Sequence, residues 1–329
     1  MKYVDSCPCC GSKALVGKKR YKFLKPKLNL ENDYGKLIND IILERLYILF
    51  YCILLNLDEF DCYLTECKDC LFYFTNPRMD EDDIQKKYAE ISLHSFGKER
   101  YKKYPATNLD SRAQRIHSLL SSIGFNPAGD KSILDMGGAW GYNLLPFKGR
   151  ANLYVIDFES WELTPGIEYL GQALKDLPEQ QRFDCIMYLH TLEHVIDPFD
   201  SLQELASRLN EEGIVYVEVP LGVFREMNVL KEPITHINFF CEKSLNNLFE
   251  RCNLHVLHCS TNYQWVTASR QWCVNIVGGR SPAQSRNIRP MPEWLQRLNP
   301  YYYAMLALNK MLVTSQKPLA SKMQLSKKP

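Results

Sequence analysis

Four cysteines form two C-x-x-C pairs whose spacing is typical of metal binding. Cys7 and Cys10 make the first pair, and Cys67 and Cys70 make the second. Each pair lets one turn present two sulfurs to one ion, and four thiolates suit tetrahedral zinc. Because four cysteine ligands leave no open position on the ion, the predicted zinc is structural. Cys9 is a further thiol that could replace one of its neighbours, and two unrelated cysteine clusters remain the alternative.

A glycine-rich turn follows a short apolar segment, residues 131–136, that reads as a strand. Glycine lets the backbone turn sharply and approach a ligand closely. The short helix predicted beyond the turn would present free N–H groups at its N-terminus. The residues expected to bind a cofactor at this turn are Asp135, Gly137, Gly138, Ala139 and Gly141.

A second carboxylate stands at the end of the next predicted strand. This strand covers residues 152–157 and ends in Asp157, 22 residues after Asp135. At the edge of a parallel sheet, an acid in this place can accept both hydroxyls of a ribose. The glycine turn and this acid predict a nucleoside-bearing cofactor. A nicotinamide-binding domain and a ligand-free doubly wound domain are the alternatives.

Histidines and a glutamate follow two further predicted strands. His190 comes after the strand at 183–189, Glu218 stands near the end of the strand at 214–219, and His236 follows in the next loop. Histidine titrates near neutral pH and can accept a proton from a substrate. We therefore predict His236, His190 and Glu218 as catalytic residues, with His190 also at the cofactor. His190 begins a His-x-x-Glu-His pattern that resembles an inverted zinc-protease motif, but it follows a strand, so we expect His194 to cap or pack.

The order of predicted elements indicates the fold class. After residue 106, short apolar runs alternate with helical patterns, which favours βαβ units and a parallel sheet. The predicted helices cover residues 110–122, 198–209 and 244–252, and a further helix is expected to end near Tyr88. The domain boundaries follow: 1–105 for a zinc-binding N-terminal domain with a helical insert, 106–280 for the cofactor-binding core, and 281–329 for a C-terminal helical segment and basic tail.

Residues 131–260 resemble class I S-adenosylmethionine-dependent methyltransferases. The likeness rests on the glycine turn, on Asp157, on the segment 183–198 and on the strand at 214–219, in that order. The resemblance implies a Rossmann-like, seven-stranded α/β core with a small N-terminal four-cysteine zinc-binding domain. It implies S-adenosylmethionine as cofactor, with the turn at its methionine end and Asp157 on the ribose. Ala139 replaces the family's middle glycine.

Together with the two cysteine pairs, the chain is similar to the sugar C-methyltransferases of deoxysugar biosynthesis and related polysaccharide-cluster enzymes, in a shorter branch. There the residue like His236 is the proposed base and follows a glutamate, whereas this chain has Thr235. Because the acid that would orient the imidazole is missing from that position, the sequence favours O-methyl transfer over C-methyl transfer. The predicted substrate is a sugar, nucleotide sugar or glycan. A methyltransferase of secondary metabolism is one alternative, and a zinc-ribbon nucleic-acid-binding module is another.

Composition narrows these alternatives. The 329 residues carry a net charge of +2, with 46% hydrophobic and 24% charged residues. These values exclude a disordered chain and a disulfide scaffold. A protein that grips nucleic acid by its charge is usually far more basic, so no nucleic-acid partner is expected. The cysteines and the N-terminal residues indicate a cytoplasmic protein. The oligomeric state is not indicated.

An apolar insert lies between the cysteine pairs. Its longest uncharged run covers residues 46–57, too short to span a bilayer, which needs about 20 residues. Buried core or a subunit contact is the first interpretation of residues 37–57. A peripheral contact with the inner face of the membrane, or with a lipid-linked substrate, is the second.

Overall fold

The computed structural model describes residues 1–94, 106–159, 161–221, 230–266 and 270–281, without the side chains of residues 30, 31, 106 and 107. Residues Met1–Pro290 form one compact unit. The boundary predicted at residue 105, and nearly all of the C-terminal segment predicted over 281–329, lie outside the described residues.

The secondary structure begins with antiparallel strands and continues with alternating strands and helices. In chain order, the strands are β1 (Leu15–Leu24), β2 (Glu59–Cys67), β3 (Tyr73–Asn76), β4 (Ser132–Met136), β5 (Asn152–Ile156), β6 (Glu168–Gly171), β7 (Phe183–Leu189), β8 (Leu209–Pro220), β9 (Asn238–Phe239), β10 (His255–Trp265) and β11 (Arg270–Gly279). The α-helices are α1 (Leu30–Asn39), α2 (Ile41–Tyr47), α3 (Glu81–Leu93), α4 (Ala106–Ser122), α5 (Pro198–Ser207) and α6 (Glu242–Arg251). A π-helix spans Ile48–Ile53, and 3-10 helices span Tyr142–Phe147, Leu174–Asp176 and Leu192–His194.

The larger sheet has seven strands in the order β10-β11-β8-β7-β4-β5-β6. Strands β6, β5, β4, β7 and β8 are parallel, whereas β11 runs antiparallel to both β8 and β10. Every residue of the central strand β7 is buried, as expected for a parallel strand covered on both faces. This arrangement confirms the predicted Rossmann-like α/β fold with seven strands.

Two apolar layers cover this sheet. On one face, Ile116 and Leu120 of α4 pack with Ile133, Val155 and Met187 of the strands. On the other face, α5, α6 and the cysteine-rich segment share one core with the sheet, and Leu205, Leu248 and Phe72 belong to it. The N-terminal cysteines therefore pack against the larger sheet through a continuous core.

Three element boundaries differ from the sequence predictions. Helix α4 begins at Ala106 and therefore contains Asp110, which the sequence suggested as its cap. Helix α3 continues to Leu93, five residues beyond Tyr88. Strand β8 begins at Leu209 because Leu209 pairs with Phe183 across a bulge, and no helix-to-strand connection is left around Gly213.

The smaller sheet is antiparallel, with the order β1-β2-β3-β9. The long pairing of β1 with β2 joins Leu15 to Cys67, which brings the turn before β1 next to the end of β2. Strand β9 lies more than 160 residues after β3, yet Phe239 pairs with Tyr73 and Asn238 with Phe74. The loop that carries His236 is therefore fixed to the N-terminal sheet.

The apolar insert folds as α1, α2 and the π-helix. Asp40 caps α2 by accepting hydrogen bonds from the backbone N–H groups of Ile42 and Leu43. Leu37 is buried, as are Ile48 and Leu49. They share a core with Phe239 of β9 and with neighbouring loop residues.

Some apolar residues of the insert remain exposed, namely Ile41, Leu55 and Leu57. Among the described residues, no helix is both long enough and apolar enough to cross a membrane.

Arg78 connects the N-terminal part to the site-bearing loops. Its side chain is only 2% exposed. Its Nη2 donates to the Asn238 side chain at 2.7 Å and to the Val195 carbonyl at 3.3 Å. Asn238 in turn donates to the carbonyls of Leu192 and Val195. One buried guanidinium thus holds three separate segments together.

Replacing Arg78 with alanine removes these bonds and leaves buried acceptors without a donor. We expect Arg78→Ala to lower the free energy of unfolding by about 2–4 kcal/mol. Urea denaturation followed by circular dichroism measures the change. Arg182→Ala serves as the matched control, because Arg182 bonds only to neighbouring carbonyls near the surface. Equal unfolding free energies for the two variants would contradict the assigned role of Arg78.

Candidate active site

The glycine turn after β4 is tightly packed against the loop after β7. Gly137 has φ +78°, and a Cβ at this position would lie 2.6 Å from the Thr191 hydroxyl oxygen. The Thr191 hydroxyl donates to the Met136 carbonyl at 3.3 Å. Only glycine fits here, because the backbone conformation and the contact both exclude a side chain. The turn and the His190 segment are therefore joined directly.

The remaining turn residues shape the same loop. A Cβ on Gly138 would lie 2.7 Å from the carboxyl carbon of Asp135. Asp135 is 1% exposed and accepts a bond from the Asn143 side chain at 3.0 Å. Burial raises the pKa of Asp135 to about 6. The buried Asp135 side chain therefore packs against the inner side of the turn. Gly141 immediately precedes the 3-10 helix that begins at Tyr142.

Asp157 lies across the turn from Ala139. The Ala139 N–H donates to Asp157 Oδ2 at 3.0 Å, and the indole N–H of Trp161 donates to Oδ1 at 3.1 Å. Ala139 has φ +46°, a region that favours glycine, so this bond is made by a strained residue. Burial raises the pKa of Asp157. The turn and the predicted ribose acid thus form one continuous surface.

Two aromatic residues near Asp157, Phe158 and Tyr88, extend the surface formed by the turn and this acid. Phe158 is 37% exposed, and its ring lies 4.7 Å from the ring of Tyr88. The sequence analysis did not single out Phe158 or Trp161. The sequence contains a signal, since Trp161 follows Asp157 by four residues and its indole N–H can donate to that carboxylate.

Glu218 is fully buried and surrounded by donors. Arg115 Nη2 donates to it at 2.6 Å, the Tyr216 hydroxyl at 2.8 Å, and Arg112 Nη2 at 3.3 Å. Burial alone would raise the pKa of Glu218, but the Arg112 guanidinium, His190 and Arg115 together hold it well below its usual value. Sequence analysis missed the two arginines, although their i,i+3 spacing on α4 places both on one helix face.

His190 bridges two carboxylates. Its Nε2 lies 3.1 Å from Glu218 Oε1, and its Nδ1 lies 3.4 Å from Glu193 Oε1. Burial opposes the charged form, but the neighbouring Cys273, Glu193 and Glu218 raise the pKa of His190 well above its usual value. The imidazole is therefore held protonated, which suits it to positioning and charge stabilisation more than to accepting a proton. Its φ of +56° is a strained conformation for histidine.

Glu193, His194 and His236 form a third cluster at the same edge of the sheet. Their donor atoms all lie within 4.8 Å of one another, and the two imidazole centroids are 4.8 Å apart. Glu193 is 1% exposed. Burial would raise its pKa, but the surrounding histidines lower it to about 2. His194 is partly buried, and the desolvation of its ring lowers its pKa to about 3.

This cluster corrects one expectation from the sequence. Thr235 stands where an orienting glutamate was expected, and the acid was therefore considered missing. The structure brings Glu193 next to His236 from the loop after β7, with the Ile237 N–H donating to the Glu193 carbonyl at 3.0 Å. Glu193 had been noted only as part of the His-x-x-Glu-His pattern. Its role could not be read from the sequence because the two segments meet only in the folded chain.

The loop that carries His236 is supported by the insert and by α3. Arg45 donates to the Thr235 hydroxyl at 3.1 Å, and Lys87 donates to the Ile234 carbonyl at 2.9 Å. Burial lowers the pKa of Lys87 to about 7. Both cations are themselves buried, so they fix the loop from the protein interior.

The four predicted zinc ligands converge. Cys7 Sγ lies 3.7 Å from Cys70 Sγ, and Cys10 Sγ lies 3.6 Å from Cys67 Sγ. Tetrahedral zinc with Zn–S bonds of about 2.3 Å requires sulfurs about 3.8 Å apart, so the donor set fits zinc. Cys9 does not belong to this set, since its thiol donates to the Ser244 carbonyl at 3.2 Å.

Comparisons with known proteins concern the part of the chain that carries this site. Residues 106–259 match a family described as a methyltransferase domain. A search of curated proteins finds no significant match. Among solved structures, the magnesium protoporphyrin IX methyltransferase of Synechocystis PCC 6803 with bound S-adenosylhomocysteine is 16% identical, with 53% of this chain and 84% of that chain covered and a TM-score of 0.40.

Two other solved structures are comparably distant. The YcgJ protein of Bacillus subtilis is 12% identical over 50% of this chain and 97% of its own, with a TM-score of 0.40. A SAM-dependent methyltransferase of Methanosarcina mazei is 16% identical over 46% and 92%, with a TM-score of 0.37. Values this low carry no information on substrate. Residues 106–259 thus match a methyltransferase domain, and the strand order and the glycine turn with its acid are those expected of an S-adenosylmethionine-dependent enzyme.

Proposed function

We propose that this methyltransferase transfers a methyl group from S-adenosylmethionine to a hydroxyl of a sugar, nucleotide sugar or glycan. The observation that carries the proposal is the junction at Thr191. This residue packs the glycine turn against the segment that contains His190, Glu193 and His194. A cofactor on the turn and an acceptor at the histidines would therefore be neighbours.

The described residues fit the cofactor. The Asp157 carboxylate lies beside Ala139 of the glycine turn, where it can accept the ribose hydroxyls. Phe158 and Tyr88 provide aromatic surface next to that acid. When bound, S-adenosylmethionine supplies an electrophilic methyl group on a sulfonium. The protein's task is to place the acceptor in line with that methyl group and to help it lose a proton.

His236 is the proposed residue that activates the acceptor hydroxyl, with Glu193 beside it. Since Glu193 supplies the acid, the threonine at 235 no longer distinguishes O-methyl from C-methyl transfer. We retain O-methyl transfer because a hydroxyl is more acidic than a C–H group and needs only one base to remove its proton. His190 and Glu218 complete the proposed catalytic set as a charged pair at the same edge. Several imidazole and carboxylate groups lie close together here, and they suit an acceptor with several hydroxyls because each can form a hydrogen bond with one.

The four-cysteine cluster is proposed to hold a structural zinc ion through Cys7, Cys10, Cys67 and Cys70. The near-tetrahedral sulfur spacing supports this assignment. The cysteines lie in the core that also contains α6, so the ion would fix the N-terminal segment against the methyltransferase domain.

A cytoplasmic location is proposed with this function. A peripheral contact with a membrane or lipid-linked substrate would depend on Ile41, Leu55 and Leu57, since much of the remaining insert is buried.

Cofactor binding tests the role of Asp157. In Asp157→Asn, a neutral amide replaces the charged acceptor of the ribose hydroxyls. We expect the Kd for S-adenosylmethionine to rise about 10- to 100-fold, as for the loss of a charged hydrogen bond. Isothermal titration calorimetry measures it. Glu168→Gln, an exposed position on the neighbouring strand β6, should bind as the wild type does. Unchanged affinity in Asp157→Asn would exclude the ribose role.

Metal content tests the cysteine cluster. Elemental analysis of the purified protein should find one zinc ion per chain. Cys10→Ser and Cys67→Ser should each lose it, because a neutral hydroxyl is a poor zinc ligand. Cys9→Ser is the matched control and should retain the ion, since Cys9 lies outside the cluster. Zinc retained in both cluster variants but lost in Cys9→Ser would reverse the ligand assignment.

Methyl transfer tests His236. We expect His236→Gln to lower kcat by about 10²- to 10⁴-fold while the Kd for S-adenosylmethionine stays unchanged. The assay follows label from the cofactor's methyl group into the nucleotide-sugar and polysaccharide fractions of a source-cell extract. His255→Ala, an exposed position at the start of β10, is the control. Full activity in His236→Gln would remove this residue from the proposed mechanism.

A further inference from the structure

We propose that Glu193, His194 and His236 bind a divalent cation that holds and activates the acceptor hydroxyl. This inference rests on the proposed function and specifies how His236 acts. One carboxylate and two imidazoles, with donor atoms within 4.8 Å of one another, need only small side-chain movements to reach a common ion. Ligands of this type bind Mn²⁺, Fe²⁺ and Zn²⁺, and three protein ligands leave other positions open.

The Glu193 carboxylate is the first observation that points to a cation. The side chain is 1% exposed, and among the described residues neither oxygen makes a hydrogen bond. Two imidazole nitrogens lie close to Oε1 of this carboxylate, His190 Nδ1 at 3.4 Å and His194 Nε2 at 3.7 Å. A buried carboxylate without hydrogen bonds is costly, and coordination of a cation would relieve that cost.

The orientation of His194 is the second observation. Its Nδ1 lies 2.6 Å from the Thr235 carbonyl oxygen, which can only accept a hydrogen bond, so Nδ1 carries the proton. In the neutral ring, Nε2 then has a free lone pair, and this atom faces Glu193. Metal-binding histidines are typically held in this way, with the other ring nitrogen donating to a backbone carbonyl.

The neighbouring cluster of His190, Glu218 and Cys273 is a weaker candidate for the same ion. Its donor atoms are equally close, but Glu218 already accepts bonds from Arg112, Arg115 and Tyr216. Two guanidinium groups neutralise that carboxylate and would repel a further cation. The four-cysteine cluster differs in chemistry, since its thiolates favour zinc, whereas the Glu193 cluster has only oxygen and nitrogen donors.

A cation in this place would change how the acceptor loses its proton. A hydroxyl bound to the ion is more acidic, so its proton passes to water and the oxygen becomes the nucleophile. The oxygen–carbon bond then forms as the carbon–sulfur bond breaks, and the bonding electron pair returns to sulfur, which leaves as a neutral thioether. His236 would act through the ion. Two adjacent hydroxyls can occupy two open positions, so the preferred acceptor is a vicinal diol.

Manganese binding tests the inference separately from catalysis. We would titrate Mn²⁺ into protein whose four-cysteine cluster is loaded with zinc and follow free Mn²⁺ by electron paramagnetic resonance. The wild type should bind one Mn²⁺ per chain. Glu193→Gln and His194→Ala should each weaken binding at least 30-fold, whereas His255→Ala should bind as the wild type does. Zinc content should stay at one per chain in all four proteins.

His236→Gln provides a further variant if a substitution at the buried Glu193 or at His194 prevents folding, because His236 is only partly buried. Circular dichroism identifies the folded variants. The inference is overturned if the wild type binds no Mn²⁺, or if the folded cluster variants bind Mn²⁺ with wild-type affinity.

Activity separates this inference from the proposed function. Methyl transfer to a sugar that proceeds at full rate after chelation of Mn²⁺ would overturn the cation and leave the proposed function standing. Manganese binding that depends on Glu193 and His194, without methyl transfer to any sugar fraction, would retain the metal site and overturn the proposed substrate. Transfer that rises at least tenfold with Mn²⁺ would support both.

Discussion

The buried charge of Glu218 is the constraint on which this site depends. A carboxylate taken out of water must be compensated by nearby donors, or it destabilises the fold. Here α4 supplies two arginines, β8 supplies Tyr216, and the loop after β7 supplies His190. Compensation of this one charge therefore fixes helix α4 to one edge of the larger sheet. The glycine turn and the histidines meet at the same edge.

That compensation also assigns different tasks to neighbouring histidines. His190 lies between two carboxylates and is held in its charged form, whereas the Nδ1 of the partly buried His194 is bound to a backbone carbonyl. The same sequence pattern thus contains one imidazole that stabilises negative charge and one that offers a lone pair. Glu193 connects them, since it faces both rings. The environment of each histidine, and not the residue type, therefore determines whether its ring carries a charge or offers a lone pair.

The N-terminal part contributes to this chemistry through support. Strand β3 pairs with β9 immediately after His236, and Arg45 and Lys87 bond to the loop just before it. The insert, for which buried core or a subunit contact was the first interpretation, therefore places the buried Arg45 next to the loop that carries His236. The cysteine cluster lies in the same core as α6, so an ion there would stabilise the frame that holds the loop.

The sequence by itself determined the α/β fold class, the glycine turn with Asp157, and the four cysteines of the predicted zinc site. These features depend on local periodicity, on backbone conformations that require glycine, and on short ligand spacings. Only the tertiary structure brought Arg112 and Arg115 to Glu218, and Glu193 to His236. Those contacts join segments separated by 40 to more than 100 residues. They follow from compensation of buried charge in three dimensions, which leaves no periodic signal in the chain.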